Sequence, residues 1–266
     1  MAEFRAIEGI EVLTLGDVAD HGVNAFVTTR HGGISSSPYD TLNLGLHVGD
    51  DEAAVLENRR RIFTALGLDP QRASFMNQVH GNRVAHVGPS EQGRGVMTHD
   101  NAIIATDALI TKEFESPLVV LSADCSHILV TAHDGSAIGV AHAGWRGAAA
   151  GMSSALVNAF GTLNYAASEL IAVVGPTISQ DAYEVGDEVV EGLRAVTPGP
   201  ESAWLDRMVR AHVDVAEVNR AQLIGAGIKS SHVRITRDRS NDELFFSDRR
   251  ARPCGRMALI AWRTEA

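Results

Sequence analysis

The chain has 266 residues, 45% of them hydrophobic, and a formal net charge of −10, so it can bury a large core but lacks the net basic surface typical of nucleic-acid binders. It contains no run of about 18 apolar residues that would span a membrane and no basic N-terminal start followed by an apolar stretch. Two cysteines, Cys125 and Cys254, are too few for a disulfide framework, so we expect a cytoplasmic protein that binds neither nucleic acid nor membranes.

Positive charge is concentrated near the C-terminus. Nine Lys or Arg and four Asp or Glu lie between Lys229 and Arg263, a local balance of +5 (9 − 4), which leaves −15 for the rest of the chain. Such a cluster is typical of a solvated face that pairs with acidic surface elsewhere. It is equally typical of a pocket for an anion such as phosphate, which guanidinium groups bind bidentately. The sequence leaves both interpretations open.

The predicted elements form one continuous α/β unit over residues 1–266, since no linker, low-complexity tract or repeat divides it. Short apolar runs predict strands at 23–29, 84–87, 107–110, 118–121, 128–131, 137–141, 171–174, 233–236 and 257–262. Periodicity and end signals predict helices at 51–66, 147–160, 185–196 and 213–224. Because strands and helices mix without strict alternation, we expect mixed sheets flanked by helices.

Three short peptides place metal-capable or nucleophilic side chains at strand ends among small residues. They are 77–81 (NQVHG), 122–127 (SADCSH) and 141–147 (AHAGWRG). In the third peptide, a predicted strand delivers His142 into a turn where Gly144 and Gly147 allow positive φ and close backbone approach. A lone histidine at a strand end is more often exposed or bonded within the core, so its partners decide the interpretation.

His80, Cys125 and His142 together supply two imidazoles and a thiolate, a donor set suited to zinc. Three protein ligands leave one position open for water, as in catalytic zinc sites. An isolated buried cysteine behaves as a small hydrophobe, and the wide spacing of the three residues does not by itself establish that they meet. We predict that they are the catalytic and metal-binding residues, with zinc as the cofactor and copper as the alternative metal.

A closed zinc site is one alternative. Structural zinc sites use four protein ligands, and His127 lies two residues beyond Cys125, on the same face of a strand. His86 and His133 are the other available fourth ligands. With any of them, the protein would be a zinc-stabilised interaction module without an open catalytic position.

A cysteine hydrolase or amidotransferase is the other alternative. In that interpretation Cys125 is the nucleophile, His142 or His80 is its base, and Asp124 orients the base. A thiolate bonded to zinc has its lone pair engaged and is a poor nucleophile. A metal titration therefore separates this hypothesis from the zinc site.

Ordered motifs run along nearly the whole chain. They are 28–35 (TTRHGGIS), 42–50 (LNLGLHVGD), 58–59 (NR), 78–81 (QVHG), 123–125 (ADC), 141–147 (AHAGWRG), 175–176 (GP), 183–186 (YEVG), 245–247 (FFS), 249–250 (RR) and 255–256 (GR). In this order they resemble the widespread bacterial purine nucleoside phosphorylases once described as polyphenol oxidases or laccases, the family of the YfiH and YlmD proteins.

The resemblance implies a YfiH-like α+β fold of layered mixed β-sheets flanked by helices, with zinc ligands at the same three residues. It also implies phosphorolysis of adenosine, inosine, guanosine or methylthioadenosine, some adenosine deamination, and an oxidase activity that depends on copper. Two departures from the family pattern concern substrate preference more than metal binding. Ser126 and His127 stand where the family commonly has Leu-Pro, and Asp248 stands where it commonly has Tyr.

Candidate contacts to a purine nucleoside and phosphate follow from side-chain chemistry. Phosphate is assigned to Arg249 or Arg250, with Arg30 and the backbone of 32–33 as further anion contacts. Asn43 and Asn77 can donate and accept hydrogen bonds toward ribose or base. The competing interpretations are an ion pair for Arg30 and a turn-forming bond to the backbone for Asn43.

Three further residues near the predicted site have two interpretations each. Asp124 either accepts a hydrogen bond from a ligating imidazole or caps a strand end. Trp145 either stacks on the purine or packs as a large side chain, and Arg146 contacts an anion or forms a salt bridge.

A multicopper phenol oxidase is disfavoured because the eleven histidines show no paired motifs. A monomer or a small homo-oligomer fits the sequence.

Overall fold

Two six-stranded sheets dominate the structure, a computed structural model in which residues 2–197, 204–206, 211–236 and 238–264 are described. The first sheet contains, in spatial order, β1 (Ala2–Ile7), β2 (Ile10–Leu15), β3 (Val23–Thr28), β15 (Met257–Arg263), β7 (Leu118–Ser122) and β4 (Ser74–Phe75). Neighbouring strands are antiparallel except for β4 and β7, which are parallel.

The second sheet is also mixed. Its strands, in spatial order, are β14 (Val233–Ile235), β10 (Leu170–Val174), β8 (Ser126–Ala132), β9 (Ile138–Ala143), β6 (Ala108–Thr111) and β5 (Val84–His86). The two edge pairs are parallel and the inner pairs are antiparallel. A small third sheet contains β11 (Glu184–Val185), β13 (Ala211–Val213) and β12 (Trp204–Asp206).

Helices cover the outer faces of the sheets. In the described part of the chain they are α1 (Glu52–Ala65), α2 (Trp145–Ala149), α3 (Met152–Thr162), α4 (Asp187–Val196) and α5 (Val215–Gly225). Helix α1 packs on the first sheet, α3 and α5 pack on the second, and α2 and α4 pack with the third. None of these helices has the length and apolar character that crossing a bilayer demands.

The strand sequences are almost continuously apolar because each central strand is buried on both faces. In β7, Leu118 and Val120 point into the core between the two large sheets, whereas Val119 and Leu121 pack toward α1. The alternation follows from the two-residue period of a strand. Each such side chain contributes about 1.5–3 kcal/mol when fully buried, so the layered core supplies a rigid frame for the loops at the sheet ends.

All nine predicted strands coincide with strands of the structure, but one predicted helix is wrong. The segment 147–160 is not a single helix: α2 ends at Ala149 and α3 begins at Met152. Gly151, which lies between them, has φ +79°, a left-handed conformation that stops a helix and that glycine adopts without strain. The break turns α3 onto the second sheet while α2 packs on α4.

Six strands were not predicted. Strands β1 and β2 form a hairpin through Glu8 (φ +49°) and Gly9 (φ +80°), but four of the six residues of β1 are exposed, so its sequence shows no apolar run. The strands β4, β11, β12 and β13 have only two or three residues each. They are too short to produce a periodic signal.

Asn58 of α1 holds the segment that carries residues 34–43 against the helix. Its buried side chain accepts a hydrogen bond from the Ile34 N–H (2.8 Å) and donates to Ser35 Oγ (2.9 Å) and to the carbonyls of Thr41 and Asn43 (both 3.0 Å). Because a buried amide or carbonyl without a partner is costly, this side chain fixes the segment against α1, while backbone bonds of Ser35, Thr41 and Leu42 hold it internally.

We expect Asn58→Ala to lower the free energy of unfolding by about 2–4 kcal/mol, since it leaves several buried polar groups unpaired. Urea denaturation measures the change. The matched control is Arg60→Ala on the same helix, which removes only the exposed ion pair with Glu57 and should change stability little. Equal losses in the two variants would show that the Asn58 network does not stabilise the fold.

Candidate metal centre

His80, Cys125 and His142 meet where the chain passes between the two large sheets. Cys125 lies in the connection from β7 of the first sheet to β8 of the second, and His80 lies in the connection from β4 to β5. His142 lies in β9, directly opposite His127 of β8. One donor atom from each of the three residues lies within 4.8 Å of the others, so the structure establishes the proximity that their spacing left open.

The backbone at these residues is unusual in ways that bring the side chains together. His80 has φ +61° and Asp124, next to Cys125, has φ +89°; a non-glycine residue in this region is uncommon and often marks a functional site. Gly144 lies against Cys125, and a Cβ at Gly144 would overlap the Cys125 sulfur. The turn after β9 therefore requires glycine for the thiol to occupy its position.

Asp107 positions both histidines through one buried carboxylate. Its side chain is completely inaccessible to solvent and accepts hydrogen bonds from the backbone N–H groups of Val79 (3.1 Å), His80 (3.0 Å) and Gly81 (2.8 Å). His142 Nδ1 donates to Asp107 Oδ1 at 3.0 Å. This bond fixes the tautomer and leaves Nε2 of His142 for a metal or for the thiol.

The thiol and the imidazole of His142 form a coupled pair. Burial raises the pKa of Cys125, but the charge of His142 and hydrogen bonds from His142 and His80 outweigh burial and lower it to about 6. Burial lowers the pKa of His142, whereas Cys125 and Asp107 raise it to about 9. These opposite shifts favour a thiolate beside an imidazolium when no metal is bound, and a metal ion would replace the proton.

His127 is not the fourth member of this group. Although it pairs with His142 across β8 and β9, its Nε2 lies 3.1 Å from Ser122 Oγ, and burial lowers its pKa to about 3. Among the described residues, the group that could hold a metal consists of His80, Cys125 and His142 alone. The alternative of a site closed by His127 is therefore wrong for this conformation.

Asp124 does not accept from a ligating imidazole, as one interpretation of the sequence had it. Its carboxylate accepts hydrogen bonds from Ser240 Oγ (2.8 Å) and from the Arg249 N–H (2.7 Å), so it anchors the C-terminal segment to the turn that carries Cys125. Asp107 takes the predicted role instead. The only sequence signal for Asp107 is an acid at the start of an otherwise apolar strand.

A cleft of about 680 Å³ opens at the triad. Its charged lining residues are Arg146, Asp248, Arg252 and Arg256. Gln78 and His47 also line it, together with apolar side chains and Cys254. The cleft therefore combines a candidate metal centre with three guanidinium groups and one carboxylate.

Two of the predicted phosphate contacts, Arg249 and Arg250, do not line the cleft. Arg249 donates to the Glu184 carbonyl (3.0 Å) and lies over the Tyr183 ring. Arg250 donates to three carbonyls of its own segment, those of residues 241, 242 and 245. Both guanidinium groups thus hold the segment that precedes Arg252, and the phosphate contacts predicted from the sequence are neighbours of the arginines that face the cleft.

The other predicted contacts are also outside the cleft lining. Arg30 pairs with Asp40 (2.8 Å), which is the ion pair that its competing interpretation named. The buried Asn43 side chain donates to Asp50 (2.9 Å) and accepts from the backbone N–H groups of Gly45 (3.0 Å) and Arg256 (2.8 Å). The Asn77 backbone bridges to residues 103 and 106.

Trp145 and Arg146 have separate roles in the structure. The Arg146 guanidinium lies 4.4 Å from the centre of the Trp145 ring, a cation–π contact, and Arg146 lines the cleft. Trp145 packs with the helices near α4 and adjoins a separate cavity of about 30 Å³ behind Cys125. The structure thus favours packing for Trp145 and places Arg146 in the cleft lining, where an anion contact stays a prediction.

Replacing Gly144 by alanine is expected to displace the Cys125 sulfur. We expect Gly144→Ala to weaken binding of Co²⁺, followed by thiolate-to-cobalt absorption, by about ten-fold or more, the range found when the support of a metal ligand is lost. The control is Gly161→Ala in α3, whose added Cβ would meet no atom within 4 Å. Unchanged Co²⁺ binding in Gly144→Ala would show that the turn does not confine the thiol.

Comparison with known proteins gives concordant matches. Purine nucleoside phosphorylase YlmD of Geobacillus stearothermophilus is 38% identical over 251 residues, 92% of this chain and 91% of that protein. Purine nucleoside phosphorylase YfiH of Escherichia coli is 34% identical over 241 residues, 91% of this chain and 94% of that protein.

Solved structures show the same architecture and confirm the predicted α+β fold. The crystal structure of the Bacillus licheniformis hypothetical protein YfiH matches with a TM-score of 0.93 at 31% identity, covering 98% of this chain and 99% of that one. The family model described as multi-copper polyphenol oxidoreductase laccase matches residues 24–264. On the combined evidence of this match, the relatives and the fold, the chain belongs to that laccase-like family, the family of YfiH and YlmD.

Proposed function

We propose that the chain is a zinc-dependent purine nucleoside phosphorylase that acts on adenosine, inosine, guanosine or methylthioadenosine, with adenosine deamination as a side activity. The observation that carries the proposal is the meeting of two imidazoles and a thiol in an arginine-lined cleft. Relatives of the chain named as purine nucleoside phosphorylases support it. The reaction needs a nucleoside site beside a site for a phosphate dianion, and the cleft offers groups suited to both.

The donor set fits zinc. Zinc binds imidazole nitrogen at about 2.0–2.1 Å and thiolate sulfur at about 2.3 Å. The three donor atoms lie within 4.8 Å of one another, and His80 is exposed, so rotation of its side chain can bring all three onto one ion. When bound, zinc would supply a Lewis acid with an open position. Copper is the alternative metal because it binds such donors more tightly than zinc.

The residues of the chain itself would bind and orient the substrates. Arg146, Arg252 and Arg256 bring three positive charges into the cleft, and planar guanidinium groups match phosphate oxygens bidentately. Asp107 keeps the His142 ring in one orientation through Nδ1. Holding phosphate and nucleoside in one cleft replaces a random encounter by an oriented one, which is a major part of catalysis.

Phosphorolysis requires negative charge to be stabilised on the attacking phosphate and on the departing purine. A phosphate oxygen forms a bond to C1′ of the pentose while the bond from C1′ to the purine nitrogen breaks. The electron pair leaves with the purine, which takes up a proton, and the product is a pentose 1-phosphate. Fixed guanidinium groups favour this reaction because they are already directed at the dianion before the bonds change.

A second candidate function rests on the coupled thiol and imidazole. Cys125, His142 and Asp107 form a nucleophile, base and orienting carboxylate in the order that a cysteine hydrolase requires. Here Asp107 takes the orienting role that the sequence predicts for Asp124. Because a zinc-bound thiolate is a poor nucleophile, this candidate predicts activity without metal.

The metal content and the activity should depend on the same thiol. Zinc-replete protein should contain about one zinc per chain, as a single site implies, and should convert inosine and phosphate to hypoxanthine and ribose 1-phosphate. Cys125→Ser should lose both zinc, measured by mass spectrometry of the metal, and product, measured by chromatography. Retained zinc with lost activity would favour the thiol nucleophile.

The matched control is Cys254→Ser. Cys254 also lines the cleft but is not among the three residues that meet, so this variant should keep its zinc. No phosphate-dependent product with any purine nucleoside, from fully metallated protein, would overturn the phosphorylase proposal.

The arginines that face the cleft should determine phosphate affinity. Arg146→Gln and Arg252→Gln should each raise the KM for phosphate by about ten-fold or more, since each loses a charge-assisted hydrogen bond. Steady-state kinetics at saturating inosine measures this. Arg249→Gln and Arg250→Gln are the comparison, because their guanidinium groups bind carbonyls. A larger increase in the KM for phosphate in Arg249→Gln or Arg250→Gln would support phosphate binding by Arg249 or Arg250, as predicted from the sequence.

A further inference from the structure

One carboxylate, that of Asp248, lies among the arginines of the cleft. It forms an ion pair with Arg252 Nη2 through Oδ2, and its Oδ1 lies 3.9 Å from Arg256 Nη2. The Asp248 side chain is 28% exposed and that of Arg256 is 22% exposed, against 77% for Arg252. Asp248 is therefore a partly buried anion placed between two of the three guanidinium groups that face the cleft.

The backbone around Asp248 is firmly held. Ser247, on one side, is buried, and the Arg249 N–H, on the other, donates to Asp124 Oδ2 at 2.7 Å. The Arg250 guanidinium donates to the Phe245 carbonyl at 2.7 Å. The carboxylate can leave the arginines only by rotation of its own side chain, because the segment that carries it is fixed to the turn beside Cys125.

Arg256 is held with equal firmness and has one edge left for an anion. Its backbone N–H donates to Asn43 Oδ1 at 2.8 Å, and its Nη1 donates to the carbonyls of Cys254 (2.9 Å) and Gly255 (3.0 Å). Of the other two nitrogens, Nε and Nη2, it is Nη2 that faces Asp248. An incoming anion that binds Arg256 in the cleft would meet the carboxylate at this nitrogen.

We infer that Asp248 is a specificity-determining residue that competes with inorganic phosphate for Arg252 and Arg256. The inference rests on the proposed function in naming phosphate as the substrate. A carboxylate and a phosphate accept hydrogen bonds from the same guanidinium N–H groups. Two anions bound to the same guanidinium groups also repel each other in a partly desolvated cleft. Phosphate must displace the carboxylate or bind against its charge, so Asp248 sets the phosphate concentration at which the site fills.

The test uses phosphate alone. Zinc-loaded protein is titrated calorimetrically with inorganic phosphate at constant ionic strength, without nucleoside, for the unaltered chain and for Asp248→Asn, which keeps the shape and removes the charge. The Kd for phosphate should fall by about ten-fold in Asp248→Asn. The control is Glu243→Gln, an exposed acid outside the cleft, which makes the same change in net charge and should leave the Kd within about two-fold.

A second variant locates the effect. Arg256→Gln introduced into Asp248→Asn should reduce the gain in phosphate affinity, and Arg252→Gln added to that pair should abolish it, because both released guanidinium groups are then absent. Unchanged or weaker phosphate binding by Asp248→Asn, with its Tm and zinc content intact, would overturn the inference and show that the carboxylate orients the arginines. A gain that survives Arg256→Gln and Arg252→Gln together would also overturn it.

Kinetics separate this inference from the proposed function. If the chain is a phosphorylase, Asp248→Asn should lower the KM for phosphate and leave the KM for inosine unchanged. A raised KM for inosine with unchanged phosphate affinity would contradict the inference, because it would mean that Asp248 contacts the nucleoside. Tighter phosphate binding by Asp248→Asn without cleavage of any purine nucleoside would sustain the inference and reject the phosphorylase. Phosphorolysis by both proteins, with equal phosphate affinity in Asp248→Asn and the unaltered chain, would support the phosphorylase and overturn the inference.

Discussion

The candidate centre depends on the buried carboxylate of Asp107. It receives three backbone N–H groups from the loop that carries His80 and the Nδ1 proton of His142, so one group fixes the relative positions of two imidazoles from different parts of the chain. A carboxylate buried without partners would be very unfavourable, whereas hydrogen bonds to its charged form keep the pKa of Asp107 low against the effect of burial. The loop between the first and second sheets thus has one low-energy arrangement, and the thiol of Cys125 meets both rings there.

The frame around this carboxylate explains why strained backbone is tolerated. The left-handed conformations of His80 and Asp124 cost on the order of 1–3 kcal/mol each, and the close approach of Gly144 to Cys125 allows no side chain. Asp124 and Gly144 lie beside the ends of the buried strands β7 and β9, whereas the loop that carries His80 is held by the hydrogen bond from its N–H to Asp107. The layered core holds the strand ends in place, so the connecting turns adopt conformations that a short peptide would avoid.

How much of this was accessible from the sequence depends on the range of the interactions involved. The central strands were predicted because burial on both faces leaves a local apolar signature, as in β7 and β15, whereas the exposed edge strand β1 carries none.

The three residues of the centre were predicted from donor chemistry and family motifs, but their meeting depends on pairing between distant strands. Asp107 was missed because its partners, three backbone N–H groups and the His142 ring, lie far from it along the chain. The orientation of arginines was beyond local reasoning altogether: Arg250 and Arg252 are two residues apart, yet one binds carbonyls of its own segment and the other faces the cleft.

Because the chain as a whole is negatively charged, the arginines that line the cleft are important for binding an anion. At a formal net charge of −10, the chain repels a phosphate dianion at long range, but this repulsion is screened beyond about 8 Å at physiological ionic strength. The potential inside the cleft is therefore set by nearby groups, among them the three guanidinium groups and the one carboxylate that line it. Within the C-terminal basic cluster, Arg249 and Arg250 bind backbone carbonyls and hold the segment, while Arg252 and Arg256 line the cleft. Among the arginine and carboxylate side chains that line the cleft, the carboxylate of Asp248 offsets one of three positive charges, which is why one side chain can govern how an anion enters.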